Sequence, residues 1–165
     1  MDHRSGCPIF PNKKTVVIDF GGPGIAKPMH VGHIRSTVIG DCLQRLYPFC
    51  GNDVTSDIHL GDWGTQIGTL IEAMKKKMLA DYFNEAFEND YPNSSPVTVD
   101  ELSALYPKAA ALCKDDEIEM QKARASTLEL QKKKRGLLAL WTHFSRISIE
   151  SLKKDFSELG VTFDL

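Results

Sequence analysis

The sequence predicts an α/β chain: the first half of a doubly wound parallel sheet, followed by a helical C-terminal portion. Three observations predict it. The β-branched run TVVIDF, residues 15–20, ends in a double glycine. Apolar residues then recur at three- and four-residue steps, the mark of a helix. A second strand-then-helix pattern follows at once, and strand, helix, strand, helix with short links is the order of a right-handed βαβ unit.

Taken in order, Thr15–Phe20 lies between Lys13-Lys14 and Gly21-Gly22 and reads as a buried strand. From His33, the positions Ile34, Val38, Ile39, Cys42, Leu43 and Leu46 form the apolar stripe of a helix lying on a core, with Pro48 and Gly51 expected to end it. Asn52–Leu60 holds a second strand around Val54–His59, and Gly61-Asp62-Trp63-Gly64 turns it into a helix from Gln66 to about Met78. Residues 81–97, rich in Asn, Asp, Pro and Ser, read as a loop or insertion. Thr98 and Glu101 form a capping box for a helix across Leu102–Leu112. Ile118–Lys133 and Leu138–Leu159 read as longer helices, Gly160 as the residue that stops the last one, and Val161–Phe163 as the start of another strand. The expected organisation is one domain over 1–165: a βαβα core at 14–78, an insertion with helices at 79–135, and a helix leading into a strand at 136–165. Because a parallel strand needs covered neighbours, such a domain reads as truncated.

Composition narrows the function. The chain has 165 residues, 42% hydrophobic and 25% charged, which suits one domain with an ordinary core and excludes intrinsic disorder. A net charge of −2 gives no global basic field for nucleic acid, and the runs Lys75–Lys77 and Lys132–Arg135 read as solvated faces. Cys7, Cys42, Cys50 and Cys113 lack CxxC spacing, which argues against a zinc site or a disulfide framework and fits a reducing compartment. No apolar run nears the ~20 residues of a membrane span, and MDHRSGCPIF has no apolar signal core. The expectation is a cytoplasmic protein with no membrane partner and no protein-bound metal.

The chemistry concentrates in GGPGIAKPMHVGHIRSTVIGD, residues 21–41. A strand, a glycine-rich turn and a helix N-terminus aim backbone N–H groups and the positive end of the helix dipole at one spot, an anion site. The pattern is neither GxGxxG nor GxxxxGK[ST]. It carries instead two histidines, His30 and His33, flanking a glycine, whose imidazoles can donate hydrogen bonds to phosphate oxygens and stabilise charge growing in a transition state.

These residues resemble a known family. AKPMHVGHIRSTVIGD is similar to the HIGH signature region of class I aminoacyl-tRNA synthetases in the form used by arginyl-tRNA synthetases, with HVGH as the tetrapeptide. HLGDWGTQIGTLI (59–71), ELSALYP, KDDEIEMQKARASTLELQ, LALW and LGVTFDL follow in that family's order, so the resemblance runs from about Val16 to Leu165. It implies a Rossmann-like nucleotide-binding domain and an arginine–tRNA ligase, which activates L-arginine with ATP, accompanied by Mg2+, and transfers it to tRNA(Arg). It also implies roles. His30, His33 and Lys27 are the catalytic, phosphate-contacting residues, and Pro28, His30, Gly32 and His33 bind ATP, with Gly32 leaving room for adenine. Gly24, His59, Asp62 and Gln66 line the amino-acid pocket, and Trp63 lies beside them as a pocket or packing residue. The resemblance implies an asparagine, usual in the family's Ser/Gly-x-Pro-Asn pattern, where this chain has Gly24. The loss of that amide removes a donor and an acceptor and predicts amino-acid binding weaker by ~1–3 kcal/mol. The parts that carry the KMSKS-like loop and most tRNA contacts are not expected within 165 residues. Two other readings are a nucleotide-binding remnant or partner-dependent fragment, and another HIGH-superfamily nucleotidyltransferase, against which GDWGTQ and the C-terminal helices count.

Overall fold

The structure, a computed structural model, describes His3, Arg4, residues 6–77 and residues 79–165. Its elements are β1 (Thr15–Asp19), α1 (Val31–Phe49), β2 (Asp53–Asp57), α2 (Thr65–Lys75), α3 (Ala80–Phe83), α4 (Val99–Asp115), α5 (Glu117–Gln131) and α6 (Arg135–Glu158). The predicted end of α2 at Met78 lies outside the described residues. The chain divides into two compact units, one taking the chain through Pro23, Met29–Leu60 and Lys154–Leu165, the other Gly24–Pro28 and Gly61–Lys153.

The first unit is built on a parallel β1–β2 pair in the register Thr15↔Asp53 to Asp19↔Asp57, with α1 as the crossover. Asn52 closes the crossover: its side-chain oxygen accepts from the Lys14 N–H at 3.1 Å and its amide donates to the Tyr47 carbonyl at 3.2 Å. Phe20 anchors the core, its ring 4.6 Å from that of Phe163, which meets Phe156 edge-on at 5.0 Å.

Two expectations about faces are corrected here. β1 is not buried: Thr15, Val17 and Asp19 are exposed, and Val17 keeps 66% of its surface. The helix over α1 forms, but it does not rest on its apolar stripe. Val38, Ile39 and Cys42 are exposed, and the buried side is Thr37 and Gly40. The cause is steric. A Cβ at Gly40 would overlap the Phe20 ring, so α1 approaches through its smallest residue and the stripe is left outward.

Nor does Pro48 end α1. It lies inside the last turn, which costs one hydrogen bond while the turn persists, because the Cys50 N–H reaches the Leu46 carbonyl at 3.0 Å. Gly51, at φ +95°, ends the helix. Gly160, at φ +67°, stops α6 as expected, with its N–H on Ser157 and that of Val161 on Phe156, a Schellman cap. Val161–Phe163 is not a strand. The outward N–H of Ser56 on β2 is taken at 2.8 Å by the Asp164 carboxylate, which occupies the place a strand carbonyl would fill.

The second unit is helical. Ile67, Leu70, Ile71 and Met74 of α2, Leu102 of α4, Leu130 of α5 and Leu140 and Phe144 of α6 are fully buried, each contributing about 1.5–3 kcal/mol. The capping box starts α4 as expected, Glu101 N–H donating to Thr98 Oγ1 at 3.2 Å and Thr98 N–H to Glu101 Oε2 at 2.9 Å. Residues 81–97 hold only the end of α3 and loop.

Gly68 sets how closely α2 approaches α5, since a Cβ there would overlap the Ala123 carbonyl and Thr127 Oγ1. In an open helix, Gly→Ala gains about 1 kcal/mol. Here overpacking against a backbone carbonyl costs ~1–3 kcal/mol and wins. Gly68→Ala is therefore expected to lower the urea midpoint and the melting temperature; an unchanged or raised midpoint contradicts the close approach.

Candidate functional site

The HVGH tetrapeptide opens α1 with a reciprocal cap. His30 is the N-cap residue at φ −135°, ψ 170°, and its Nδ1 accepts from the Gly32 N–H at 3.1 Å. The His30 N–H in turn donates to His33 Nδ1 at 3.2 Å, and the ring centroids lie 4.0 Å apart. A neutral imidazole that accepts at Nδ1 carries its proton on Nε2. Both rings are thereby fixed as Nε2–H donors at the positive end of the α1 dipole, and the first turn contains no acidic residue to oppose an anion.

The glycine between them is required for this. A Cβ at Gly32 would lie 2.8 Å from His30 Cε1 and 3.0 Å from its Nδ1, so any side chain there would displace the ring. The backbone also behaves differently from the anion turn that the sequence suggests. The N–H groups of Gly32 and His33 are already engaged, the second with the His30 carbonyl at 2.8 Å. An anion at this turn would therefore depend on side-chain donors more than on these two backbone groups.

His30 also borders a cavity of about 240 Å³ with Met29, Val31, Asp155 and Glu158. These carboxylates disfavour a bare anion there and suit a cation-bearing one.

At the C-terminal end of the sheet, His59 has partners the sequence reading did not pick out. Its Nδ1 lies 3.1 Å from Asp19 Oδ2 and 3.6 Å from Asp57 Oδ2, and its N–H donates to Asp19 Oδ1 at 3.4 Å. Asp19 and Asp57 are register partners and the last residues of their strands, so strand pairing itself builds the cluster. The one signal in the sequence was an aspartate near the end of each predicted strand.

The second unit places the remaining candidates. Gly24 bridges Gly61, and the Ile25 N–H donates to the Gly61 carbonyl at 3.2 Å. Ala26, fully buried, sits at φ +63°, a conformation costly for a residue with a Cβ, and its N–H is held by Ser148 Oγ at 2.8 Å. Lys27 follows, its Nζ 4.1 Å above the Tyr106 ring. Tyr106, within the ELSALYP segment, and Ser148, which no motif marks, thus position this loop from far along the chain. The Asp62 carbonyl accepts from Trp141 Nε1 at 2.8 Å, and Trp63 packs edge-on against Trp141 at 5.1 Å. Pro28 and Gln66 are exposed.

Among the described residues no group of three or more His, Cys, Asp or Glu side chains could hold a metal ion, and no helix is long and apolar enough to cross a membrane.

The carboxylates of Asp19 and Asp57 raise the pKa of His59 above its ordinary value, the Asp19 hydrogen bond first. For a base so raised, the stabilisation is fully present below the unfolded pKa of about 6.5 and is lost as pH climbs through the folded value. An NMR titration of the histidines is expected to show His59 turning over above about pH 6.5 and Asp19→Asn moving its midpoint down. A midpoint that ignores Asp19→Asn contradicts the cluster.

Comparison with known proteins supplies the lineage. The family described as tRNA synthetases class I (R), catalytic domain, matches residues 2–164. An arginine–tRNA ligase of Francisella tularensis subsp. novicida (strain U112) is 59% identical over 157 residues, 94% of this chain and 27% of that protein. One from Maricaulis maris (strain MCS10) is 49% identical over 99% of this chain and 28% of its own length. The crystal structure of arginyl-tRNA synthetase from Plasmodium falciparum matches with a TM-score of 0.65 at 30% identity, covering 92% of this chain and 23% of that one. The chain thus spans about a quarter of the length of the curated relatives it matches. It belongs to the arginine family of class I tRNA synthetase catalytic domains.

Proposed function

We propose that this chain carries the ATP-binding half of an arginine–tRNA ligase, which activates L-arginine to arginyl-adenylate and transfers it to tRNA(Arg) in the cytoplasm. The observation that carries the reading is the reciprocal His30–His33 cap, which sets two Nε2–H donors at the start of α1. ATP enters as its magnesium complex, a substrate whose metal keeps its own phosphate and water ligands.

The arginine carboxylate attacks the α-phosphorus, pyrophosphate leaves in line, and negative charge spreads over the non-bridging oxygens. Donors fixed in advance stabilise that charge without reorganising. In this reading His30 and His33 supply them, Lys27 adds a cation, and Pro28 and Gly32 shape the nucleotide's approach. His59, Asp62, Gln66 and Gly24 serve the amino acid. The carboxylates of Asp19 and Asp57 beside His59 give that end of the sheet a negative bias suited to a guanidinium.

Equilibrium ATP binding tests the phosphate role. Alanine at both histidines would also remove the helix cap, so the informative variant is His30→Asn/His33→Asn, since asparagine caps helices well but lacks the Nε2–H donor. A hydrogen bond to a charged group is worth ~1.5–3 kcal/mol, so each loss is expected to weaken ATP binding about tenfold or more with little change in melting temperature. Unchanged affinity sinks the assignment.

Gly24 can be tested in the opposite direction. Its φ is not positive, and a Cβ there would meet only ordinary contacts, Gly61 O at 3.5 Å and Gln66 Oε1 at 3.7 Å. Gly24→Asn should therefore fit. It is expected to tighten L-arginine binding by ~1–3 kcal/mol, or about 5- to 150-fold, read by calorimetry. No gain would show that Gly24 is not the position that limits the amino acid.

A further inference from the structure

We propose that Cys7 and Cys50 form a redox dithiol, an intramolecular disulfide site that takes a small-molecule disulfide as oxidant. The two Sγ atoms lie 3.6 Å apart although the residues are 43 positions apart in sequence. A covalent S–S bond is about 2.05 Å, so closure asks each sulfur to move by less than about 1 Å.

The approach is supported by a run of neighbouring contacts rather than by the sulfurs alone. The Arg4 guanidinium lies 4.7 Å over the Phe49 ring and donates to the Phe49 carbonyl. The Phe10 N–H donates to the Cys50 carbonyl at 3.1 Å. Ile9 covers Gly51, where a Cβ would meet its Cγ2 at 2.7 Å. Arg4 and the chain from Cys7 to Phe10 thus contact the C-terminal end of α1, with the thiol pair among these contacts. Cys50 is the C-cap residue and Cys7 lies in irregular chain, so neither sulfur is locked by helix geometry. Both residues are half-buried.

The reaction balances as two exchanges. One thiolate attacks the oxidant's disulfide, forms a mixed disulfide and releases one small thiol. The second thiolate attacks the protein sulfur of that mixed disulfide and expels the other half as a second thiol. The Cys7 hydrogen bond and burial push the Cys50 pKa up, so thiolate is scarce there at neutral pH and closure accelerates as pH rises. Cys42 is exposed and Cys113 buried, its Sγ 3.9 Å from Thr69 Oγ1, and neither has a thiol neighbour among the described residues. α1 spans 19 residues, about 28 Å, between its cap and this site, so the inference stands apart from the proposed function.

The native chain, with Cys42→Ser to remove the exposed thiol, is treated with oxidised glutathione at pH 9, then mapped by non-reducing peptide mass spectrometry. The expected result is a loss of two hydrogens with no glutathione retained, a Cys7–Cys50 cross-linked peptide, and a melting temperature raised until reductant is added. Adding Cys7→Ser should leave Cys50 as a lasting glutathione adduct. The proposal is overturned if Cys7 and Cys50 end as separate adducts, if they stay unmodified, or if the cross-link forms equally fast in urea-unfolded chain.

Discussion

The parallel pairing of β1 with β2 is the constraint on which the first unit depends. Parallel strands cannot be joined by a tight turn, so the chain must leave the end of β1 and return by a crossover. That crossover is α1, which places its N-terminus after the C-terminal end of a strand, where open α/β sheets bind ligands. Gly21 and Gly22, at φ +89° and +49°, make the exit from β1, and Asn52 ties the return. The same register sets Asp19 opposite Asp57 and so gathers two carboxylates around His59.

The order of elements was legible because each rests on local signals: β-branched runs, a capping box at Thr98, and Gly51 and Gly160 as stops. Which face each element buries was not. The stripe through Val38, Ile39 and Cys42 has sound helical spacing, yet the helix seats on Thr37 and Gly40, since Phe20 needs the space that only Gly40 leaves. Periodicity reports that a helix has an apolar side; contact with a particular ring decides which side is used. Val161–Phe163 failed for a related reason. Strand formation there depends on who satisfies the Ser56 N–H, and the side chain of the next residue, Asp164, does so.

In the candidate site, residue types were legible but their partners were not. HVGH announced two imidazoles, and only the structure shows that they cap each other and so share a tautomer. The spacing then acquires a cause. With one residue fewer or more between them, the second ring would leave the N3 position, the one from which a side chain reaches back to the N-cap N–H. The contacts of Tyr106 to Lys27 and of Ser148 to Ala26 were not legible because they cross 79 and 122 residues of sequence.

Ala26 and Gly24 bring these threads together. Ala26 keeps a left-handed conformation that glycine would take more cheaply, which shows that tertiary contacts, here Ser148 and a fully buried side chain, dictate the backbone of this loop. Gly24, two residues earlier, has no positive φ and has space for a side chain. The conformation of the loop therefore does not require the glycine that the sequence carries. Gly61 and Gln66 flank this position and leave room for an amide side chain. What the glycine withholds at this position is chemical, a side-chain donor and acceptor, rather than architectural.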